Sequence, residues 1–91
     1  MQEIQLEHQP SLDRLKSLGV FSWPIWEKEE SEFPYTYDSE ETCYILEGHI
    51  FVTPEGGRPV EIRPGDLVVF PAGMNCTWRI VKRVRKHYNF A

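Results

Sequence analysis

Apolar and polar residues alternate strictly over residues 75–80. Cys76, Trp78 and Ile80 fall on one face, and Asn75, Thr77 and Arg79 on the other. A period of two predicts a half-buried β-strand. Val60 and Ile62 alternate with Glu61 and Arg63 in the same way. The run Leu67, Val68, Val69, Phe70 is apolar on both faces, as in a strand covered on both sides. Residues 49–53 form another short run rich in β-branched residues. Turn signals separate these runs: Pro54 with Gly56 and Gly57, then Arg63–Pro64–Gly65–Asp66, then Pro71–Ala72–Gly73. Short strands at regular spacing predict an all-β sandwich or barrel. One segment breaks the pattern. Ser11 suits an N-cap, Leu12, Leu15 and Leu18 recur at helical spacing, and Gly19 suits the stop. Pro10 precedes the cap, where no helical hydrogen bond is lost. One short N-terminal helix is therefore expected, covering one end of the barrel.

The glycines and prolines add backbone geometry. Gly48 and Gly65 fit sharp bends where a positive φ is needed or a side chain would clash. Pro71 ends an apolar strand because it cannot supply a ladder donor. A chain of 91 residues fits one domain, with an arm and helix over residues 1–22 and a barrel over 23–91. So short a chain buries a limited share of its surface. Aromatics at 13% offset this, since each ring buries a large area.

Charge narrows the functional classes. A formal net charge of -4 gives no global attraction to nucleic acid. Acidic residues (Glu27, Glu29, Glu30, Glu32, Asp38, Glu40, Glu41) lie in the first half, and Lys82, Arg83, Arg85 and Lys86 cluster near the end. These runs read as solvated faces or charged strand edges. No stretch is long and apolar enough to span a membrane, and the first ten residues lack a secretion-signal pattern. Two cysteines are too few for a disulfide framework, so a reducing cytoplasm is expected, or an organelle if the chain is a processed form.

The spacings Glu41-x6-Gly48 and Gly65-x5-Pro71-x-Gly73 resemble the two motifs of the cupin superfamily. The stretches ETCYILEG and PGDLVVFPAGMNCTW, with WPIWEKEESEF and VRKHYNF around them, are similar to small single-domain cupins related to ureidoglycine aminohydrolase and the ethanolamine-utilisation cupins. The resemblance implies a jelly-roll-like β-barrel and covers nearly all of the chain from Trp23 onward. It also implies a metal held by three imidazoles and one carboxylate. Here Glu41 keeps the carboxylate place. The first histidine pair falls at Tyr35 and Tyr37, or at Pro34 and Thr36. Cys76 takes the later histidine place and Ile80 the asparagine place.

Several readings of the altered positions stay open. As packing residues, Cys43 and Cys76 are small buried hydrophobes, while Tyr35, Tyr37 and Trp78 are core rings. As a ligand pocket, Tyr35, Tyr37, Glu41, Cys43, Cys76, Trp78 and His87 line the barrel mouth. As a metal site, Glu41 and Cys76 with His87 would bind zinc, manganese, iron or nickel. His8 and His49 are weaker candidates. An interior Glu41 needs a partner, which Tyr35, Tyr37, Lys28, Arg79 or Lys86 could supply. The expected function is a small-molecule-binding barrel. The alternatives are an enzyme acting on a small nitrogen-containing or sugar-like metabolite with Glu41 as acid/base, or a structural protein. A homodimer is the expected assembly.

Overall fold

A computed structural model describes residues 3–91, so the first two residues of the expected arm lie outside it. The elements in chain order are β1 (Gln5–His8), α1 (Leu12–Leu18), a 3-10 turn (Val20–Ser22), β2 (Ile25–Lys28), β3 (Ser31–Thr36), β4 (Glu41–Pro54), β5 (Val60–Ile62), β6 (Asp66–Phe70) and β7 (Asn75–Phe90). All strands join one seven-stranded sheet in the order β1-β6-β4-β7-β2, with β3 also on β7 and β5 also on β4. Every pairing is antiparallel. The sheet curls around its core without closing, which is the jelly-roll-like form.

Two long strands organise it. The start of β4 (Glu41 to Tyr44) pairs with β6 on one side and the end of β7 on the other. Its second half (Ile50 to Val52) pairs with β5 and with the start of β7. The register shifts between Ile45 and Ile50. These irregularities change the parity of the strand: Glu41, Cys43 and Ile45 are buried before them, and Ile50 and Val52 after them. Extra residues in a ladder bend the strand and raise its twist. Gly48, at φ 117°, sits in this bend. A Cβ there would stand 2.8 Å from Arg83 O and from Val84 Cα, so only glycine lets β7 approach.

The inner face carries one apolar cluster that includes Cys43, Ile45, Ile50, Val52, Ile62, Val68, Phe70, Trp78 and Val84. The predicted alternation over residues 75–80 and in β5 is realised, and the apolar run of β6 is buried at Leu67, Val68 and Phe70. Leu67 and Val68 face opposite sides, which is why both faces of that run are apolar.

The helix forms as its caps predict. Ser11 accepts a hydrogen bond from Arg14 N at 3.2 Å, and Gly19 adopts a left-handed φ of 76°. Its position corrects the expectation that it covers one end of the barrel. Leu15 packs with Val20 and Leu67, joined by Trp23 and Tyr44, on the outer face of the sheet. Leu12 and Leu18 stay exposed. With 3.6 residues per turn, side chains six apart diverge by about 120°, so only the central leucine meets the sheet.

Candidate functional site

Alternation along β4 turns Glu41 and Cys43 inward, and alternation along β7 does the same for Val84 and Lys86. Glu41 is 4% and Lys86 5% exposed. Their strands are hydrogen-bonded neighbours, which brings Lys86 Nζ to 2.8 Å from Glu41 Oε2. Lys86 Nζ also donates to Cys43 Sγ at 3.3 Å, and the Cys43 thiol donates to Glu41 Oε2 at 2.9 Å. The three side chains form a closed ring of contacts. The ammonium lies 4.7 Å from the centre of the Trp78 ring and 4.9 Å from that of Trp26, within cation–π range. A desolvated charge is costly unless it is paired and hydrogen-bonded, and here both requirements are met.

Beside this pair is a cavity of about 240 Å³ lined by Trp26, Phe33, Tyr35, Tyr37, Glu41, Trp78, Lys86, Tyr88 and Phe90. Its rings are ordered. Phe33 stacks on Trp78 with planes 13° apart, and Tyr37 stacks on Phe70 at 10°. Trp78 Nε1 donates to the Tyr37 hydroxyl at 3.0 Å, fixing both rings. Tyr35 and Phe90 stand at the more exposed rim. Both side-chain bonds to Glu41 fall on Oε2. No fully buried side-chain oxygen or nitrogen among the described residues lacks a partner, so Oε1 opens toward the cavity. A second depression, lined by Glu32, Phe51, Thr53, Pro59, Thr77 and Arg79, lies on the outer face and has no buried polar group.

Burial raises the Cys43 thiol well above its ordinary range; nearby Lys86 pulls the other way and Glu41 adds to the rise. Burial, then the Glu41 charge, raises Tyr37 and Tyr35. For Lys86 burial alone acts downward, but Cys43 and Glu41 outweigh it and the net direction is up. The thiol therefore stays neutral and the lysine stays charged. In each group the folded state holds its proton at a pH where the unfolded state releases it. Stability is thus fully present below the unfolded value and falls as pH rises past it. The decline is expected to begin near the ordinary thiol value of 9.0 and to reach about 1.4 kcal/mol per pH unit for each of the buried groups Cys43, Tyr37 and Lys86. Urea unfolding at successive pH values checks this, and Cys43→Ala should flatten the first part of the slope. A stability unchanged from neutral pH to well above the thiol value would contradict it.

The family profile described as EutQ-like cupin domain matches residues 15–88. The chain belongs to the EutQ-like cupin family. Among solved structures, a DUF861 family protein from Thermotoga maritima is 53% identical to this cupin, with a TM-score of 0.94 and 98% of this chain and 100% of that chain covered. A putative ethanolamine utilization protein Q from Salmonella typhimurium is 26% identical, with a TM-score of 0.66, covering 72% of this cupin and 53% of that chain. The EutQ protein of Clostridium difficile, 24% identical at a TM-score of 0.66, covers 72% and 52% and supports the fold alone. The cupin thus spans about half of those two ethanolamine-utilisation proteins. No curated protein matches the sequence.

The cupin brings together some of the expected site residues and separates others. Tyr35, Tyr37, Glu41 and Trp78 line one cavity, and Cys43 lies behind Glu41. Cys76 is in the core, where its thiol approaches Tyr35 O at 3.5 Å; burial pushes it up to about 11. Both thiols are free. His87 is not at the site. It neighbours Lys86 in sequence, so strand alternation turns it outward, where Nδ1 meets Trp23 O at 2.9 Å and Phe21 packs on the ring. The set Glu41, Cys76 and His87 is therefore not assembled. Among the described residues no three His, Cys, Asp or Glu side chains are grouped to hold a metal. The metal that the cupin resemblance implies does not fit this donor set, because tyrosines and Cys76 stand at the places of the imidazoles and the Lys86 ammonium sits on Glu41 Oε2.

Of the other histidines, His8 ties β1 to the Arg63–Asp66 turn through Asp66 Oδ1 at 2.7 Å, and His49 pairs with Glu61 at 2.7 Å on the surface. Lys86 corrects the reading of the basic cluster as a solvated face. Lys82 and Arg83 are exposed and Arg85 is half-buried, but Lys86 is core. Sequence reasoning also left Trp26, Phe33, Tyr88 and Phe90 out of the site. For Lys86 and Tyr88 the signal was present: they share the parity of Trp78, Ile80 and Val84 on one continuous strand.

Proposed function

We propose that this cupin is a small-molecule-binding module whose ligand enters the aromatic cavity and ends against Glu41 and Lys86. The observation that carries the reading is a cavity of about 240 Å³ with an ion pair fixed in its wall. Concave, mostly apolar sites with a few placed polar groups are the usual form of a ligand pocket. Burying an ion pair is often no better for stability than an apolar replacement, so the pair is better explained by recognition than by folding.

A thermal-shift screen of the intact protein against neutral and charged aromatic and heterocyclic metabolites tests this. A ligand at a hundred times its Kd stabilises by about 2.7 kcal/mol. For a domain of this size that raises Tm by roughly 10–20 °C. Trp78→Leu should abolish the shift while the variant still melts cooperatively. If no compound in a broad panel moves the Tm of the native protein, the binding reading fails.

A further inference from the structure

We infer that the cavity's ligand is a neutral, planar compound carrying an N–H beside a C=O, such as an aromatic amide or a lactam; this rests on the binding reading above. Charge is the first reason. Glu41 and Lys86 are the two charged side chains in the lining, and they neutralise each other at 2.8 Å. A net charge on the ligand would lose its water and meet no free counter-charge.

An aromatic box beside a carboxylate ordinarily suits an organic cation. In this cupin that place is taken from within. The Lys86 ammonium covers the faces of Trp26 and Trp78 at 4.9 and 4.7 Å and is bonded to Glu41. A ligand ammonium would have to displace a side chain covalently held at that spot.

The remaining polar capacity has a definite pattern. Lysine has three N–H donors, and Glu41 with Cys43 takes two of them. Glu41 Oε1 is an acceptor open to the cavity. On the ion pair itself one donor and one acceptor thus stand side by side, while the hydroxyls of Tyr35, Tyr37 and Tyr88 lie elsewhere in the lining. The complementary edge is an acceptor next to a donor, as an amide presents. Aromatic rings make up most of the lining, so a flat body that can lie against a ring face fits it better than a branched one.

The test compares three probes of one ring size on the intact protein at neutral pH: benzamide, benzoate and benzyltrimethylammonium. Binding is followed by the fluorescence of Trp26 and Trp78, which line the cavity. Benzamide is expected to bind at least about tenfold tighter than either ion, a difference of about 1.4 kcal/mol. Lys86→Met leaves a negative cavity and should move the preference to the cation. Glu41→Gln leaves a positive one and should move it to benzoate. Should either variant fail to fold, the native ratios decide alone. A native preference for benzoate or for the cation, or equal binding of all three, overturns the assignment of ligand class and leaves the binding reading standing. Silence from all three probes also overturns it, and removes the binding reading only if the metabolite screen is silent too.

Discussion

Lys86→Met is expected to cost roughly 3–5 kcal/mol of folding stability, the usual effect of removing one partner from a buried ion pair. The reason lies in what stays behind. Glu41 is 4% exposed, and its Oε2 would keep only the Cys43 thiol as a donor. The substitution also removes the cation from over Trp26 and Trp78, a contact worth about 0.5–2 kcal/mol. Methionine restores most of the volume, so the loss is electrostatic and not a cavity effect. The double variant Glu41→Gln, Lys86→Met removes both charges and is expected to recover most of the loss. Urea unfolding of the native protein, the two single variants and the double variant closes a double-mutant cycle. A Lys86→Met variant within about 1 kcal/mol of the native protein would show that the pair is not a coupled buried unit.

Gly48→Ala is expected to destabilise by roughly 2–5 kcal/mol, combining backbone strain with overpacking. At φ 117° an L side chain is strained, and its Cβ would stand 2.8 Å from two backbone atoms of β7. Backbone cannot rotate aside as the end of a side chain can, so the pairing of β4 with β7 must open. Gly73→Ala separates the two terms. Gly73 has φ 83° but no atom within 4 Å of the added Cβ. It should therefore lose only the strain, about 1–2 kcal/mol. Chemical denaturation of both variants checks the order. Equal losses would mean that close approach of the strands contributes nothing at Gly48. Because Gly48 sits between Glu41–Cys43 and Ile50–Val52, the bend also decides which residues face inward on each side of it. Under the binding proposal, a folded Gly48→Ala variant should therefore show a smaller ligand-induced rise in Tm as well.

Much of the fold was legible because it is written in local patterns. Strict alternation named the inward face over residues 75–80, and the caps of α1 were readable at Ser11 and Gly19. The positive φ at Gly48 and Gly65 followed from the spacing of glycines around strands. Less legible was the length of the two long strands. Residues 41–54 form one strand through a bulge, and residues 75–90 form another. A bulge breaks the period of two that identifies strands, so β4 reads as separate pieces. The charged run at residues 82–86 hides that β7 continues.

The same cause explains the site. Lys86 reads as one of a group of surface cations, and sequence offered it only as one of several partners for Glu41. Its inward position depends on strand parity carried from Trp78 through Val84, and its pairing on the register that sets β7 beside β4. His87 moved the opposite way, from candidate ligand to outer face, by that one-residue step in parity. The sequence by itself determined a glycine-hinged all-β cupin with an interior carboxylate at Glu41 and without the histidine pair of the family. Only the tertiary structure decided that the cation facing that carboxylate is an ammonium of the chain itself. Local patterns specify backbone geometry, whereas which charges meet depends on the register of two strands, which here joins residues 45 apart in sequence.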